Sequence, residues 1–309
     1  MSSRVLVTGA AGCLGAWVIR HLLEDGLEPV AFDLAPVSAR LQAIVGEPLL
    51  QEVRFERGDI TDEAAVATAI SRHDVRHVIH LAALQIPACR TDPALGMSVN
   101  AVGTLNVFEA ALANGIRHVA WASSIAVFGT AGDYPAGPVP ADAARLPRTV
   151  YGVTKVAAED AAKVYWNDHG LSSVALRPWV VYGPGRDQGL TSEPTLAMIA
   201  AAQGMDAHIS FQGRMQLQFA SDVARQFIDA AITKVDGARA FNLGGPVTDM
   251  DELAALIMEL RPGVRVSVGE DTLPFPEEFD DGPLRETFGS VYATPLKDGV
   301  DFTLSVFTP

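Results

Sequence analysis

Short apolar, β-branched runs alternate with longer segments of helical spacing, and this alternation restricts the possible folds more than any other feature. The runs are Val5–Val7, Pro29–Phe32, Val53–Phe55, Val78–Leu81, His118–Trp121 and Val174–Leu176. Between them, Leu14–Glu24, Glu63–Ser71, Asn100–Asn114 and Val150–His169 carry apolar residues at helical spacing. Continuous apolar runs separated by helices predict parallel strands buried on both faces and joined by right-handed crossovers. The expectation is an α/β fold with a doubly wound parallel sheet, which takes ligands at the carboxyl ends of its strands.

The rhythm breaks at Thr130–Pro147, where Gly132, Pro135, Gly137, Pro138, Pro140 and Pro147 predict a long loop over a site. Beyond Leu176 the pattern is irregular. Glu193–Gln203 and Met250–Leu260 read as helices, Phe241–Leu243 as a strand, and Leu273–Pro283 as a loop rich in proline and acid. This predicts a first domain over residues 1–175 and a smaller irregular lobe over 176–309, with about 215–245 returning to the first.

Composition narrows the function. With 23 Lys and Arg against 37 Asp and Glu, the net charge of −14 argues against a nucleic-acid partner, which needs a basic surface. No apolar run reaches the ~18 residues of a membrane span. Met1–Arg4 leads directly into an apolar run without a charged leader, so a cytoplasmic, soluble protein is expected. Cys13 and Cys89 cannot build a disulfide framework and match no zinc spacing, so no metal is expected.

The first strand runs into Gly9-Ala10-Ala11-Gly12-Cys13-Leu14-Gly15 and then a helix. Spaced glycines at a strand-to-helix turn let backbone approach a pyrophosphate at the helix N-terminus, where free N–H groups and the dipole favour anions. Asp33 closes the second strand 18 residues after Gly15, near the spacing at which a carboxylate reaches adenosine ribose hydroxyls. Alone, Asp33 is better explained as a strand-end turn former; with the glycines, it points to dinucleotide binding. A carboxylate there repels a 2′-phosphate and selects NAD over NADP, unless Arg40 folds back to offset it.

The three-residue glycine spacing resembles the extended branch of the short-chain dehydrogenase/reductase superfamily, the NAD-dependent epimerase/dehydratase type. The rest of the chain carries the same resemblance. Gly58-Asp59-Ile60 resembles the adenine-contacting element, Leu81-Ala82-Ala83 the segment along the cofactor, and Asn100 with Gly103, Thr104 and Asn106 the central helix. Ser123-Ser124-Ile125-Ala126-Val127-Phe128-Gly129 resembles the strand end bearing the catalytic hydroxyl, Tyr151-Gly152-Val153-Thr154-Lys155 the Tyr-x-x-x-Lys signature, and Arg177-Pro178 through Gly185 the next strand and turn. The resemblance implies a Rossmann fold with NAD held by Gly9, Gly12, Leu14, Gly15, Asp33, Asp59, Ile60, Leu81, Ala82, Ala83, Asn100, Ser123, Tyr151, Lys155 and Pro178. It places Gln85, Ser124, Ile125, Ala126, Trp179 and Arg186 on the substrate side. It also implies a homodimer pairing the helices Ala94–Ala113 and Val150–Val164, although core burial alone would explain their composition.

Tyr151 and Lys155 lie four apart on one helix face. A free phenol is a poor base near neutrality; an ammonium and a positive nicotinamide ring nearby are expected to lower its pKa. Lys155 is also expected to hold the nicotinamide ribose, and Ser124 to place the alcohol or carbonyl oxygen beside Tyr151. His80, inside an apolar strand, reads as a packed core residue, and Cys13 has no redox role.

The substrate side departs from the nucleotide-sugar pattern in three places. Val180 stands where relatives often carry Asn, and Met215 where they often carry Arg, with Arg214 one residue off. Phe275–Leu284 carries Glu277, Glu278, Asp280 and Asp281 where an arginine commonly clamps the diphosphate. An oxidoreductase acting on a small sugar, polyol or hydroxy acid is therefore expected first. A nucleotide-sugar epimerase with tightly held NAD comes second, and a non-catalytic NAD sensor third. Arg186, near the expected nicotinamide end, suits a carboxylate or phosphate; a surface pairing with Asp187 is the plainer alternative.

Overall fold

The computed structural model describes residues 3–35, 37–289 and 291–308, so Met1 and Ser2 of the N-terminal stretch lie outside the described residues. In chain order, the first half contains β1 (Arg4–Thr8), α1 (Cys13–Glu24), β2 (Glu28–Asp33), α2 (Ala39–Val45), α3 (Glu47–Leu50) and β3 (Arg54–Arg57). It continues with α4 (Glu63–Arg72), β4 (His77–His80), α5 (Ile86–Thr91), α6 (Pro93–Met97), α7 (Gly103–Ala113), β5 (His118–Ala122), α8 (Val150–His169) and β6 (Ser172–Arg177). There follow β7 (Val180–Tyr182), α9 (Glu193–Ala202), β8 (Ala207–Gln212), β9 (Arg214–Phe219), α10 (Ala220–Ile232) and β10 (Ala238–Asn242). The chain ends with β11 (Val247–Asp249), α11 (Met250–Leu260), β12 (Val266–Thr272), α12 (Gly282–Phe288) and α13 (Leu296–Phe307).

Seven strands form one parallel sheet in the order β10-β6-β5-β4-β1-β2-β3. This is the doubly wound, Rossmann-like α/β sheet. The order reverses between β1 and β4, so the carboxyl ends of Thr8 and His80 flank the crevice where such sheets take ligands. One face of the sheet packs on α1 and α10 through Trp17, Ile19, Val223 and Phe227; the other packs on α4, α7 and α8 through Ile70, Phe108, Trp121 and Ala158. A separate apolar cluster joins β7, β9, α9, α11 and α13 through Tyr182, Leu217, Met198, Leu253 and Leu304. Two small sheets, β11-β9-β7 and β12-β8, lie in this second layer.

Local chemistry sets the helix ends. Thr149 caps α8 by accepting from Gly152 N at 3.0 Å, and Gly170, with φ of 65°, ends it in the left-handed conformation. Asp62 caps α4, and Asp249 with Glu252 forms a capping box on α11.

Several boundaries differ from the sequence expectation. The helix expected over Asn100–Asn114 begins earlier, passing from α6 through a wide π turn at Ser98–Val102 into α7. The stretch Thr130–Pro147 contains a 3₁₀ turn at Ala131–Asp133, and its Val139 forms a bridge with Phe279. The strand expected at Phe241–Leu243 is β10, which starts three residues earlier at Ala238, pairs with β6 along its whole length and ends one residue earlier at Asn242. α10 follows β9 without an intervening breaker, which is why the pattern 215–232 does not announce two elements.

Candidate active site

The glycine turn is built for close approach. Gly9 has φ of 70°, and a Cβ there would lie 2.6 Å from Ala82 N; a Cβ on Gly15 would lie 2.3 Å from Gly9 O. Larger residues would therefore drive β1, α1 and the 81–82 segment apart. Gly12 is the N-cap of α1, with no side-chain cap and no acid in the first turn, so the N-terminal N–H groups meet no competing carboxylate of their own helix. Asp33 Oδ2 accepts from Ala11 N at 3.0 Å, which pins the second strand end to the turn. These features fit a dinucleotide pyrophosphate and its ribose. Arg40 does not stand free to offset Asp33: it donates to Ala11 O and pairs with Asp187.

Beyond the carboxyl ends of β4, β5 and β6 lies a cleft of about 180 Å³. Of the residues expected at a cofactor, Leu14, Leu81, Ala83, Ser123, Tyr151, Lys155 and Pro178 line it. All those expected on the substrate side, Gln85, Ser124, Ile125, Ala126, Trp179 and Arg186, line it too. The remaining cofactor-side residues stand elsewhere. Gly9, Gly12 and Gly15 form the turn; Asp33 closes β2; Ala82 packs behind Gly9. Asp59 is exposed and accepts from Thr61 N and Oγ1, while Ile60 is buried under Gly103 with its carbonyl accepting from Asn106. Asn100 departs most from expectation. It is fully buried, accepts from Leu84 N at 2.7 Å, and donates to Leu84 O at 2.9 Å and Thr154 Oγ1 at 3.2 Å. Its side chain holds the 81–84 segment in place and is not presented to the cleft.

Ser124, Tyr151 and Lys155 meet in the cleft. Ser124 caps the 3₁₀ turn Ile125–Val127 by accepting from Ala126 N at 3.1 Å, and it hydrogen-bonds the Tyr151 phenol. Lys155 is 2% exposed and donates to Ala122 O at 2.7 Å, with its Nζ 5.6 Å from the centroid of the Tyr151 ring. Burial brings the Lys155 ammonium down to about 8, partly opposed by Cys89 and Glu159. In the protein alone, without the nicotinamide charge that the sequence expectation included, Tyr151 is shifted upward. Burial raises its pKa, although the Ser124 hydrogen bond and the Arg186 charge pull it down. A buried phenolate costs more desolvation than these neighbours return in the protein alone.

His80 is a core residue, joined to Thr8 Oγ1 at 2.7 Å and Thr104 Oγ1 at 3.1 Å, and burial with the Lys155 charge takes it down to about 3. Burial pushes the Cys13 thiol up to about 12, so it is protonated and inert at neutral pH. Arg186 does not pair with Asp187, which Arg40 holds. Its Nη2 donates to Thr191 Oγ1 at 3.2 Å, and its buried Nε has no partner among the described residues. Among the described residues no Asp or Glu lines the cleft.

The chain matches the NAD dependent epimerase/dehydratase family over residues 5–244. It belongs to that family. The family makes it an enzyme of the extended short-chain dehydrogenase/reductase type, with NAD as the cofactor. Among its relatives, a UDP-glucose 4-epimerase of Mycolicibacterium smegmatis is 33% identical over 82% of this chain and 81% of its own. Two solved structures follow the fold over nearly its whole length. A UDP-glucose 4-epimerase of Thermus thermophilus in complex with NAD has a TM-score of 0.82 at 27% identity, covering 98% of each chain. An L-threonine dehydrogenase from Cupriavidus necator has a TM-score of 0.85 at 25% identity, covering 98% of this chain and 99% of its own. Epimerases and dehydrogenases thus share this architecture.

Residues without a motif of their own complete this family member's site. Phe275, from the stretch read as an acidic loop, lines the cleft and packs edge-on against Trp179, ring centroids 5.0 Å apart. Thr191 orients Arg186. Behind β5, Glu159 accepts from Ser123 Oγ at 2.6 Å and from Arg177 Nε and Nη2, both at 2.7 Å. Glu159 lies four residues after Lys155 on the same helix, and that spacing is its sequence signal. Among the described residues no cluster of His, Cys, Asp and Glu could hold a metal, and no helix is long and apolar enough to cross a membrane.

Proposed function

We propose that the protein oxidises a secondary alcohol, or reduces the matching carbonyl, on a small substrate bearing a carboxylate: a hydroxy acid or sugar acid. The observation that carries this reading is Arg186, half-buried in the cleft, whose guanidinium makes no direct ion pair among the described residues and whose buried Nε has no hydrogen-bond partner there. A desolvated cation with no direct ion pair is costly, and an anionic group of the substrate supplies that partner.

The chain's residues divide the chemistry. Ser124 donates to the substrate oxygen and positions it; Tyr151 takes the hydroxyl proton in oxidation and returns it in reduction. Lys155 places a positive charge beside Tyr151 and reaches toward the ribose. Gly9, Gly12, Gly15 and the uncapped start of α1 receive the pyrophosphate, and Asp33 the adenosine ribose. NAD, when bound, supplies the hydride acceptor and a positive ring charge that offsets the burial of the phenol. Trp179, Phe275, Gln85, Ile125 and Ala126 wall the substrate.

The second reading is nucleotide-sugar epimerisation with retained NAD, and the names of the relatives favour it. It needs cations for two phosphates, whereas Arg214 is exposed and pairs with Glu277, and Arg285 pairs with Asp281. We also infer a homodimer, supported by exposed Leu95, Met97 and Val102 and by exposed Val153 and Val164 on the helices expected to pair. A substrate panel read by NADH absorbance tests the main proposal. Release of NADH with small hydroxy or sugar acids is expected. Interconversion of UDP-sugars without NADH release would replace this reading with the epimerase.

A further inference from the structure

The cleft holds more unpartnered polar groups than Arg186 alone. Gln85 stands at the N-cap of α5, yet its side chain caps no N–H of that helix and makes no hydrogen bond among the described residues. Its backbone is held on both sides. Asn100 accepts from Leu84 N and donates to Leu84 O, and Gln85 O accepts from Cys89 N at 3.0 Å. The carboxamide is thus set at the cleft on an anchored stretch of chain, with no partner of its own.

Gly189 shows what lies beside it. A Cβ on that glycine would collide with Gln85 Oε1 and lie 3.2 Å from Arg186 Nη2, so carboxamide and guanidinium are neighbours at one backbone position. Thr191 Oγ1 accepts from Arg186, and its own proton has no acceptor among the described residues. The Trp179 indole Nε1 is buried and has no partner there either. Both residues line the cleft.

Hydrogen-bond chemistry narrows what fits. Arg186 and the Trp179 indole can only donate, so they call for oxygen acceptors on the ligand. Gln85 Oε1 calls for the opposite. It is the one side-chain carbonyl in the described lining of the cleft, and it needs a donor. A carboxylate has no proton to give, whereas a hydroxyl has one. A carbonyl beside the guanidinium therefore matches a hydroxyl beside a carboxylate.

We propose, building on Arg186 as the partner of the substrate carboxylate, that Gln85 reads a second hydroxyl on the carbon next to that carboxylate. The substrate is then a polyhydroxy acid and not a simple hydroxy acid. Gln85 Oε1 accepts the hydroxyl proton, and Nε2 donates to a neighbouring substrate oxygen.

The test compares matched acids on the enzyme supplied with NAD, read by NADH formation. 2,3-Dihydroxybutanoate is set against 3-hydroxybutanoate, and gluconate against 2-deoxygluconate. Each pair differs by the hydroxyl next to the carboxylate. In the pair turned over faster, the wild type should favour the hydroxylated acid at least about ten-fold in kcat/KM, because a site built to bond a hydroxyl rejects the analogue lacking it. Gln85→Met keeps the side-chain length and removes the carboxamide; it should lower that ratio at least about five-fold. A wild-type ratio near one, or a ratio that Gln85→Met leaves unchanged, overturns the role of Gln85 and leaves Arg186 as the carboxylate's partner. NADH from none of the four acids overturns the acid reading itself, and the role of Gln85 falls with it.

Discussion

Replacing Arg186 by methionine separates a substrate clamp from a structural loop residue. Methionine keeps an unbranched apolar stem in the cleft and removes the guanidinium. In the protein alone Arg186 gives one hydrogen bond to Thr191 and makes no ion pair among the described residues, so little is lost locally. Burial pulls its pKa down, the sign of a charge held without sufficient compensation. Arg186→Met should therefore leave the melting temperature unchanged or higher, because an uncompensated buried charge has gone. The substrate loses a hydrogen bond to a charged donor, worth about 1.5–3 kcal/mol. That is a drop of about 10- to 150-fold in kcat/KM for a hydroxy acid. The drop should fall mainly on KM, since a carboxylate remote from the reacting carbon is held alike in ground and transition states. Steady-state NADH formation is measured on the acid and on its neutral amide. The amide should change less than about three-fold, because it has no charge for the guanidinium to meet. Equal losses on acid and amide, together with a lower melting temperature, would refute the reasoning and leave Arg186 as loop structure.

Tyr151→Phe should cut turnover by about 10²- to 10⁴-fold while NAD affinity, read by fluorescence titration, stays within a few-fold; a mild loss removes Tyr151 from proton transfer. Asp33→Ala should erode the preference for NAD over NADP in the ratio of the two kcat/KM values, since it removes the carboxylate anchored on Ala11 N; an unchanged ratio would mean that Asp33 only shapes the turn. His80 links stability to pH: it titrates at about 3 in the fold against an ordinary 6.5, so only the unfolded chain binds its proton between those values. Its contribution is complete above about pH 6.5 and falls by up to about 1.4 kcal/mol per pH unit as acid is added. His80→Gln should flatten that part of the urea-midpoint profile, and a slope like that of the wild type would show another group to be responsible.

The parallel sheet was legible because β1, β2, β4, β5 and β6 are buried on both faces, and so appear as unbroken apolar runs between amphipathic helices. The second layer was less so. β8 alternates exposed His208 and Ser210 with buried Ile209 and Phe211, a half-buried edge whose mixed composition resembles a loop. α10 carries a strong apolar face but starts at Ala220 directly after β9, with no cap or breaker to mark the join. In the cleft, Tyr151, Lys155 and Ser124 were legible through the motifs that resemble the family, short runs that a helix turn and a strand end fix locally. Phe275 and Thr191 come from irregular segments, and their place depends on long-range packing against Trp179 and Arg186. The raised pKa of Tyr151 was not legible either, because it follows from burial rather than from the Lys155 neighbour.

The buried ion pair behind the catalytic strand explains how these elements keep their register. Arg177 and Glu159 are each 3% exposed at the side chain, so their attraction must offset a large desolvation cost. Such a pair adds little net stability, but loss of either member would leave a buried charge unpaired, at about 3–5 kcal/mol. Beyond their two mutual bonds, the hydrogen bonds of the pair reach several other elements. Glu159 projects from α8 and accepts from Ser123, the residue before the catalytic-type hydroxyl. Arg177 ends β6 and donates to Ala141 O of the long loop and to Asn242 Oδ1 of β10. Asn242 in turn donates to Val139 O. Helix, strand end, loop and outer strand are thus tied to one charged pair whose bonds have fixed directions. A shift of α8 by one residue would break several of these bonds together, and Tyr151 and Lys155 ride on that same helix. The placement of the cleft's reactive side chains is therefore inherited from a charge network that does not itself line it.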